Sequence, residues 1–137
     1  PKSLIDKTGY YQEDFFYGME EYDLSYATIK AGYSILFTKE LLMIHKQNPN
    51  GREPNNVTKL RMFTNKMIVV YKHLPLLYVI THFIAWSAFF LYKSKLALMM
   101  YLKGVINLIS RFKTAKREVM NERGMKYLHS VKARLWY

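Results

Sequence analysis

The feature that most restricts the fold of this chain is a run of 19 residues without a formal charge, Leu74 to Tyr92. A helix needs about 20 mostly apolar residues to cross a bilayer, so the run is just long enough. Lys72 precedes it and Lys93 follows it, and it contains amphipathic aromatic residues of the kind found at membrane interfaces, Tyr78, Trp86 and Tyr92. The pattern predicts membrane association and leaves open a span or an in-plane helix. A buried core helix is the alternative.

The residues that follow favour the same interpretation. Leu96 to Ile109 is a second apolar run of 14 residues, broken by Lys103 and Gly104, which is expected to lie in the interface or to pack against the first. Arg111 to Arg134 is basic and fits anionic lipid headgroups. The tail as a whole is predicted to be helical and membrane-associated.

The charge of the chain is unevenly distributed. Residues 1–45 hold four Lys/Arg and seven Asp/Glu, a net 4 − 7 = −3, whereas residues 46–137 hold 17 and three, a net 17 − 3 = +14. This asymmetry predicts an anionic membrane surface as partner. Nucleic acid is disfavoured, because the basic residues interleave with apolar runs and the head is acidic. The absence of cysteine excludes disulfides and thiolate metal sites.

Local signals predict secondary structure in the first half of the chain. A helix is expected from about Met19 to Ala31, with Gly32 as its left-handed C-cap. Tyr33 to Phe37 and Leu41 to Ile44 are short apolar runs bounded by turn residues, which favours strands. Gln47 to Asn56 contains Asn-Pro and Asn-Gly and is expected to be a loop, and helical spacing dominates from Val57 onward.

Three acids crowd together directly after Gly18, namely Glu20, Glu21 and Asp23. On a helix Glu20 and Asp23 share a face, while Glu21 lies on a neighbouring one. Acids in a first turn also suit the positive end of the helix dipole, so a purely structural role is the alternative to a site.

The order of motifs around these acids resembles the C-terminal half of family 2 glycosyltransferases, the GT-A enzymes that include rhamnosyltransferase-like polysaccharide transferases. Gly18 to Leu24 is similar to the family's "G-E-D-x-D-L" motif. Four further segments resemble family motifs in the right order: Thr8 to Phe16 ("G-F-F-D-E-x-F-F"), Ala31 to Ile35 ("A-G-Y-x-I"), Met43 to Lys46 ("V-x-H") and Leu60 to Pro75 ("R-N-R…K-h-x-P").

The resemblance implies an α+β chain, the C-terminal part of a GT-A α/β fold followed by a helical tail. It places the acceptor side of the catalytic domain in residues 1–58 and the basic, membrane-associated region in residues 59–137. The family's nucleotide-binding half carries a metal-binding D-x-D, which does not occur here, and the chain begins with Pro1. The chain is therefore expected to be a fragment that does not transfer sugar alone.

The resemblance also implies site residues. Glu21, in the second acidic position where Asp is commoner, is the expected general base, with Glu20 and Asp23 beside it. His45 is the expected ligand of a divalent cation, Mg or Mn, whose other ligands belong to the missing half. Three residues are expected to bind substrate: Lys46, Arg52 and Asn65. Thr64 departs from the family's arginine.

The implied function is inverting transfer of a sugar from a nucleotide-sugar donor to a glycan or lipid-linked acceptor. The expected location is the cytoplasmic face of the plasma (inner) membrane. A non-catalytic basic membrane anchor or scaffold is the alternative, since that role needs only the tail.

Overall fold

The computed structural model describes residues 2–11, 13–15, 18–44, 46 and 55–137. Over these ranges the chain forms six α-helices and one turn of 3-10 helix. In chain order these are α1 (Lys2–Thr8), the 3-10 turn (Glu13–Phe15), α2 (Glu20–Lys30), α3 (Asn55–His73), α4 (Leu76–Lys93), α5 (Leu98–Thr114) and α6 (Glu122–Ser130).

Helix α3 lies at the centre and packs against α2, α4 and α5. Every residue from 63 to 70 is buried, because this part of the helix has neighbours on all sides. Helix α3 ends at His73 because the residue before a proline is disfavoured in the helical conformation, and Pro75 follows Leu74. Pro75 then serves as the N-cap of α4.

Aromatic rings join α3 to α4 and α5. The ring of Phe63 lies 6.1 Å from that of Phe83, 6.3 Å from that of Phe90 and 5.8 Å from that of Tyr101, measured between centroids. Gly104 lets α5 approach α3 closely, since a Cβ there would lie 2.5 Å from Cδ1 of Leu60. The three helices therefore form one packed unit.

Helix α4 is long and apolar enough to cross a membrane by length and composition. Its 18 residues have a mean hydropathy of 1.4, and only 17% of them are buried inside the structure. The exposed apolar side chains of α4 and α5 recur at helical spacing, Leu76, Ile80 and Ile84 on the first and Leu98, Leu102, Ile106 and Ile109 on the second. Each helix thus carries an apolar stripe that no other described residue covers.

The segment between α5 and α6 returns to the C-terminal end of α3. The backbone N–H of Glu118 donates to the Lys72 carbonyl at 2.9 Å, and that of Met120 donates to the His73 carbonyl at 2.7 Å. Arg117 donates to the carbonyls of Tyr71 and Leu74. The last carbonyls of a helix lack partners within it, so this segment satisfies the end of α3.

The α+β fold-class prediction is wrong, because the described residues form helices joined by irregular chain and contain no strand. Both predicted strands, Tyr33 to Phe37 and Leu41 to Ile44, are irregular chain, and Phe37 and Met43 are 93% and 87% exposed. A strand needs a neighbour for its backbone groups, and the described part of the chain offers none.

Other local predictions are confirmed. Helix α2 runs from Glu20 to Lys30, within one residue of the expected bounds, and Gly32 has the left-handed φ of +88°. The helical character expected after Val57 is also found. The predicted loop at 47–56 lies mostly outside the described residues, and its last two residues open α3. The division at residues 58 and 59 stays a prediction.

Candidate functional site

A left-handed turn sets the direction of α2. Gly18 and Met19 have φ of +79° and +78°, so the chain reverses just before the acids. The side-chain amide of Asn65 donates to the carbonyls of Phe15 at 3.2 Å and Gly18 at 3.1 Å. Arg111 donates in turn to Asn65 Oδ1 at 2.9 Å. Asn65, expected to bind substrate, is therefore placed as a buried connector between this turn, α3 and α5.

The three acids of α2 lie in three different environments. Glu21 is exposed, Glu20 is half-buried and Asp23 is buried. No described residue hydrogen-bonds to the buried Oε2 of Glu20. Glu21 is thus the most exposed of the three acids.

Asp23 is held by two consecutive residues at the end of α3. Lys72 Nζ lies 2.8 and 2.9 Å from the two carboxylate oxygens, and His73 Nε2 lies 2.7 Å from Oδ1. Burial alone would raise the pKa of Asp23, but the hydrogen bonds from His73 and Lys72 outweigh it and keep that pKa below its usual 3.8. Asp23 is therefore an ionised anchor between α2 and α3.

His73 is neutral at physiological pH. Burial lowers its pKa below the usual 6.5, although Asp23 favours the protonated ring. Nε2–H then donates to Asp23, which leaves Nδ1 as an acceptor. Nδ1 is buried, and none of the described residues gives it a hydrogen bond. The ring of Tyr26 packs beside the imidazole, with centroids 5.6 Å apart.

A polar cavity of about 400 Å³ opens beside this cluster. Its charged lining residues are Asp23, Lys30, Lys72, Arg111, Lys116 and Glu118. Glu118 accepts from Lys116 at 2.5 Å and from Lys30, and these hydrogen bonds lower its pKa to about 2. Four cations against two carboxylates make the cavity electropositive.

The remaining predicted site residues do not join this cluster. Lys46 is exposed on irregular chain. His45 and Arg52 lie outside the described residues. Within the described ranges no three His, Asp or Glu side chains converge as a metal site would require.

Lys72 and His73 were missed by the sequence reasoning. Their hydrogen bonds reach Asp23 across 49 and 50 residues of chain, and no periodicity or motif reports such a pairing. The signal that existed was the position of two basic residues in the last turn of a helix just before Pro75.

Comparison with models of protein families, with curated proteins and with solved structures found no match.

Proposed function

We propose that this chain forms the membrane-associated acceptor side of an inverting glycosyltransferase, with Glu21 as the general base. The observation that carries the proposal is the different environment of each acid of α2. Asp23 fixes the first turn of the helix to α3, whereas Glu21 stands exposed in that same turn. A base must be both reachable and held in place, because proton transfer depends on geometry first.

In this mechanism Glu21 accepts the proton of the acceptor hydroxyl as that oxygen attacks the anomeric carbon of the donor sugar. The bond from that carbon to the nucleotide diphosphate breaks, and the electron pair leaves with the diphosphate. Asn65 maintains the left-handed turn from which the first helical turn projects.

A divalent cation, Mg or Mn, would neutralise the departing diphosphate. The described residues do not supply a complete site for it. By resemblance His45 contributes one ligand, and Lys46 and Arg52 contact donor phosphates. These roles belong to the proposal.

The tail supports placement at a membrane. Helix α4 has the length and composition of a span, and the exposed apolar stripes of α4 and α5 would otherwise face water. Basic residues follow these stripes, so the cytoplasmic leaflet, which carries anionic lipid, is the proposed surface.

The second candidate is a non-catalytic membrane anchor or scaffold. It is favoured by the same exposed stripes of α4 and α5, which need no acid on α2. The two candidates differ in what Glu21 does, and that difference can be measured.

The test is Glu21→Gln introduced into the chain's own gene. Membranes from these cells are incubated with labelled UDP-, GDP- and dTDP-sugars, and incorporation into lipid-extractable and polymeric glycan is followed. We expect incorporation to fall by about 10²–10⁴-fold, the usual cost of losing a general base. Glu40→Gln, at an exposed acid outside the motif, should leave the rate unchanged.

Wild-type incorporation in Glu21→Gln membranes would remove Glu21 from the role of base. If deletion of the whole gene also leaves every incorporation unchanged, the glycosyltransferase proposal fails and the scaffold is favoured.

A further inference from the structure

A second, larger cavity of about 980 Å³ forms a groove between α2, α4 and the chain on either side of Leu128. This volume lies at the upper end of the range of about 300–1,000 Å³ for ligand sites. The walls are mainly apolar and aromatic and include Met19, Tyr26, Met62, Trp86 and Phe89. The groove therefore offers a long apolar surface.

Lys66 of α3 lies against this groove and is only 5% exposed. Its Nζ lies 4.7 Å from the centroid of the Tyr22 ring. No described residue gives this ammonium an ion pair or a hydrogen bond, and burial lowers its pKa. A buried cation without a counter-charge is costly, so the site favours an anion that would neutralise it.

The other charged residue in the described lining of the groove has the same sign as Lys66. Arg134 is the second charged lining residue, and no Asp or Glu is among the described residues that line the groove. A small anion would leave the apolar walls in contact with water, and a neutral chain would leave Lys66 unpaired. The lining therefore fits a molecule that combines an anionic group with a long apolar chain.

The groove borders α4, the helix that we propose to lie in the membrane. Ala85, Trp86 and Phe89 of α4 form one wall, and Phe89 is 46% exposed, so the wall continues onto the outer surface of α4. A lipid beside α4 could enter sideways without crossing water. We propose that the groove binds one anionic phospholipid of the surrounding bilayer, with its phosphate against Lys66 and one acyl chain along the apolar walls. The proposal rests on the proposed membrane placement of α4 and not on glycosyl transfer.

The head-group contact is tested with the detergent-solubilised chain. Binding of short-chain phosphatidylglycerol, short-chain phosphatidylcholine and inorganic phosphate is measured by native mass spectrometry and by thermal shift. We expect one saturable phosphatidylglycerol per chain, phosphatidylcholine at least about tenfold weaker, and no binding of phosphate alone. Lys66→Met should bring phosphatidylglycerol down to the phosphatidylcholine level, because the charge-assisted contact is lost. Lys2→Met, at an exposed lysine of α1 outside the groove, should leave both affinities unchanged.

The chain contact is tested by filling the groove. Ala85→Trp adds an apolar ring inside it, whereas Ala88→Trp adds the same ring on the exposed side of α4. The first should weaken phosphatidylglycerol binding at least about tenfold and the second should not. Both keep α4 apolar, and circular dichroism shows whether each variant retains its helices. Unsaturable binding, or saturable binding that neither Lys66→Met nor Ala85→Trp weakens, would overturn the proposal.

Discussion

At the scale of single residues, one buried cluster is formed by the polar side chains of Asp23, Lys72 and His73. The side chains of Asp23 and Lys72 are 10% and 14% exposed, and that of His73 is 4% exposed. Such a cluster is stable only while every charge keeps its partner, because the low-dielectric interior that strengthens the pair also penalises a lone ion. The cluster also links α2 to the end of α3. Its loss should therefore loosen the attachment of α2, the helix that carries Glu21.

Asp23→Asn should lower the free energy of unfolding by about 3 kcal/mol, the lower end of the range for breaking a buried ion pair, since Lys72 retains some solvent contact. The amide keeps the shape of the carboxylate but leaves the ammonium without a counter-charge. Urea denaturation in mild detergent measures the change. Glu122→Gln breaks the exposed pair with Lys126 and should cost less than about 0.5 kcal/mol, so equal losses would contradict the argument.

The same cluster predicts a pH dependence. The pKa of His73 is lower in the folded chain than its usual 6.5, so the unfolded state takes up a proton first on acidification. Its contribution to stability is therefore complete above about pH 6.5 and declines as the pH falls toward the folded pKa. Asp23 has a lowered pKa and extends the decline below about pH 3.8. Urea midpoints between pH 7.5 and 4.5 should fall, and less steeply in His73→Gln than in wild type or in His129→Gln.

At the scale of the helical elements, α4 serves two surfaces. Tyr78, His82 and Phe90 face the interior, whereas Ile80 and Ile84 are exposed. A helix with an interior side and an apolar exterior side is suited to a bilayer or its interface, with α3 behind it. Substitutions on the exterior side can therefore test the membrane without disturbing the core.

Two aspartates at Ile84 and Ala88 should move the chain toward the soluble fraction. Both positions are exposed, and each charge costs about 2.5–3.5 kcal/mol at the centre of a membrane helix. The control carries the same added charge at Ser3 and Ser34, exposed positions away from α4. Flotation on neutral liposomes is the measurement. If the Ile84 and Ala88 variant floats as wild type does, α4 is not held in the bilayer.

At this scale the sequence could predict those features that depend on residues close together in the chain. The bounds of α2 and the left-handed Gly32 depend on neighbours within a few residues, and both were correct. The predicted strands at Tyr33 to Phe37 and Leu41 to Ile44 were wrong. A short apolar run can be buried in several conformations, and it forms a strand only when a neighbouring strand pairs with it. The contacts of Asp23 were equally out of reach, since they connect residues about 50 positions apart.

At the scale of the whole molecule, the basic segment from Arg111 to Arg134 contributes side chains both to the surface and to the core. Met120 and Leu128 are almost fully buried, and Arg117 binds the end of α3. Deleting residues 111–134 would therefore unfold the chain as well as remove charge. The electrostatic contribution has to be tested with exposed lysines alone.

Lys103, Lys113 and Lys126 are exposed, and changing all three to Gln should reduce the preference for anionic over neutral liposomes by about 1 kcal/mol per residue. The wild-type preference should also weaken with salt, which screens charge within about 10 Å at 0.1 M. The matched control changes three exposed lysines of the first half, Lys2, Lys39 and Lys46. If both triple variants lose the same preference, attraction depends on total charge and the tail has no special part in it.

The return of residues 117–120 to the end of α3 also sets an order of events during synthesis. Arg117 reaches a carbonyl 46 residues earlier in the chain. At a translation rate of about 5–20 residues per second, the end of α3 waits about 2–9 s for that partner. Helix α4 leaves the ribosome within this interval, before Arg117 can bind the end of α3. If α4 binds the bilayer as proposed, its apolar stripe would therefore reach the membrane before the basic segment has been made, and that segment would complete a molecule already in place.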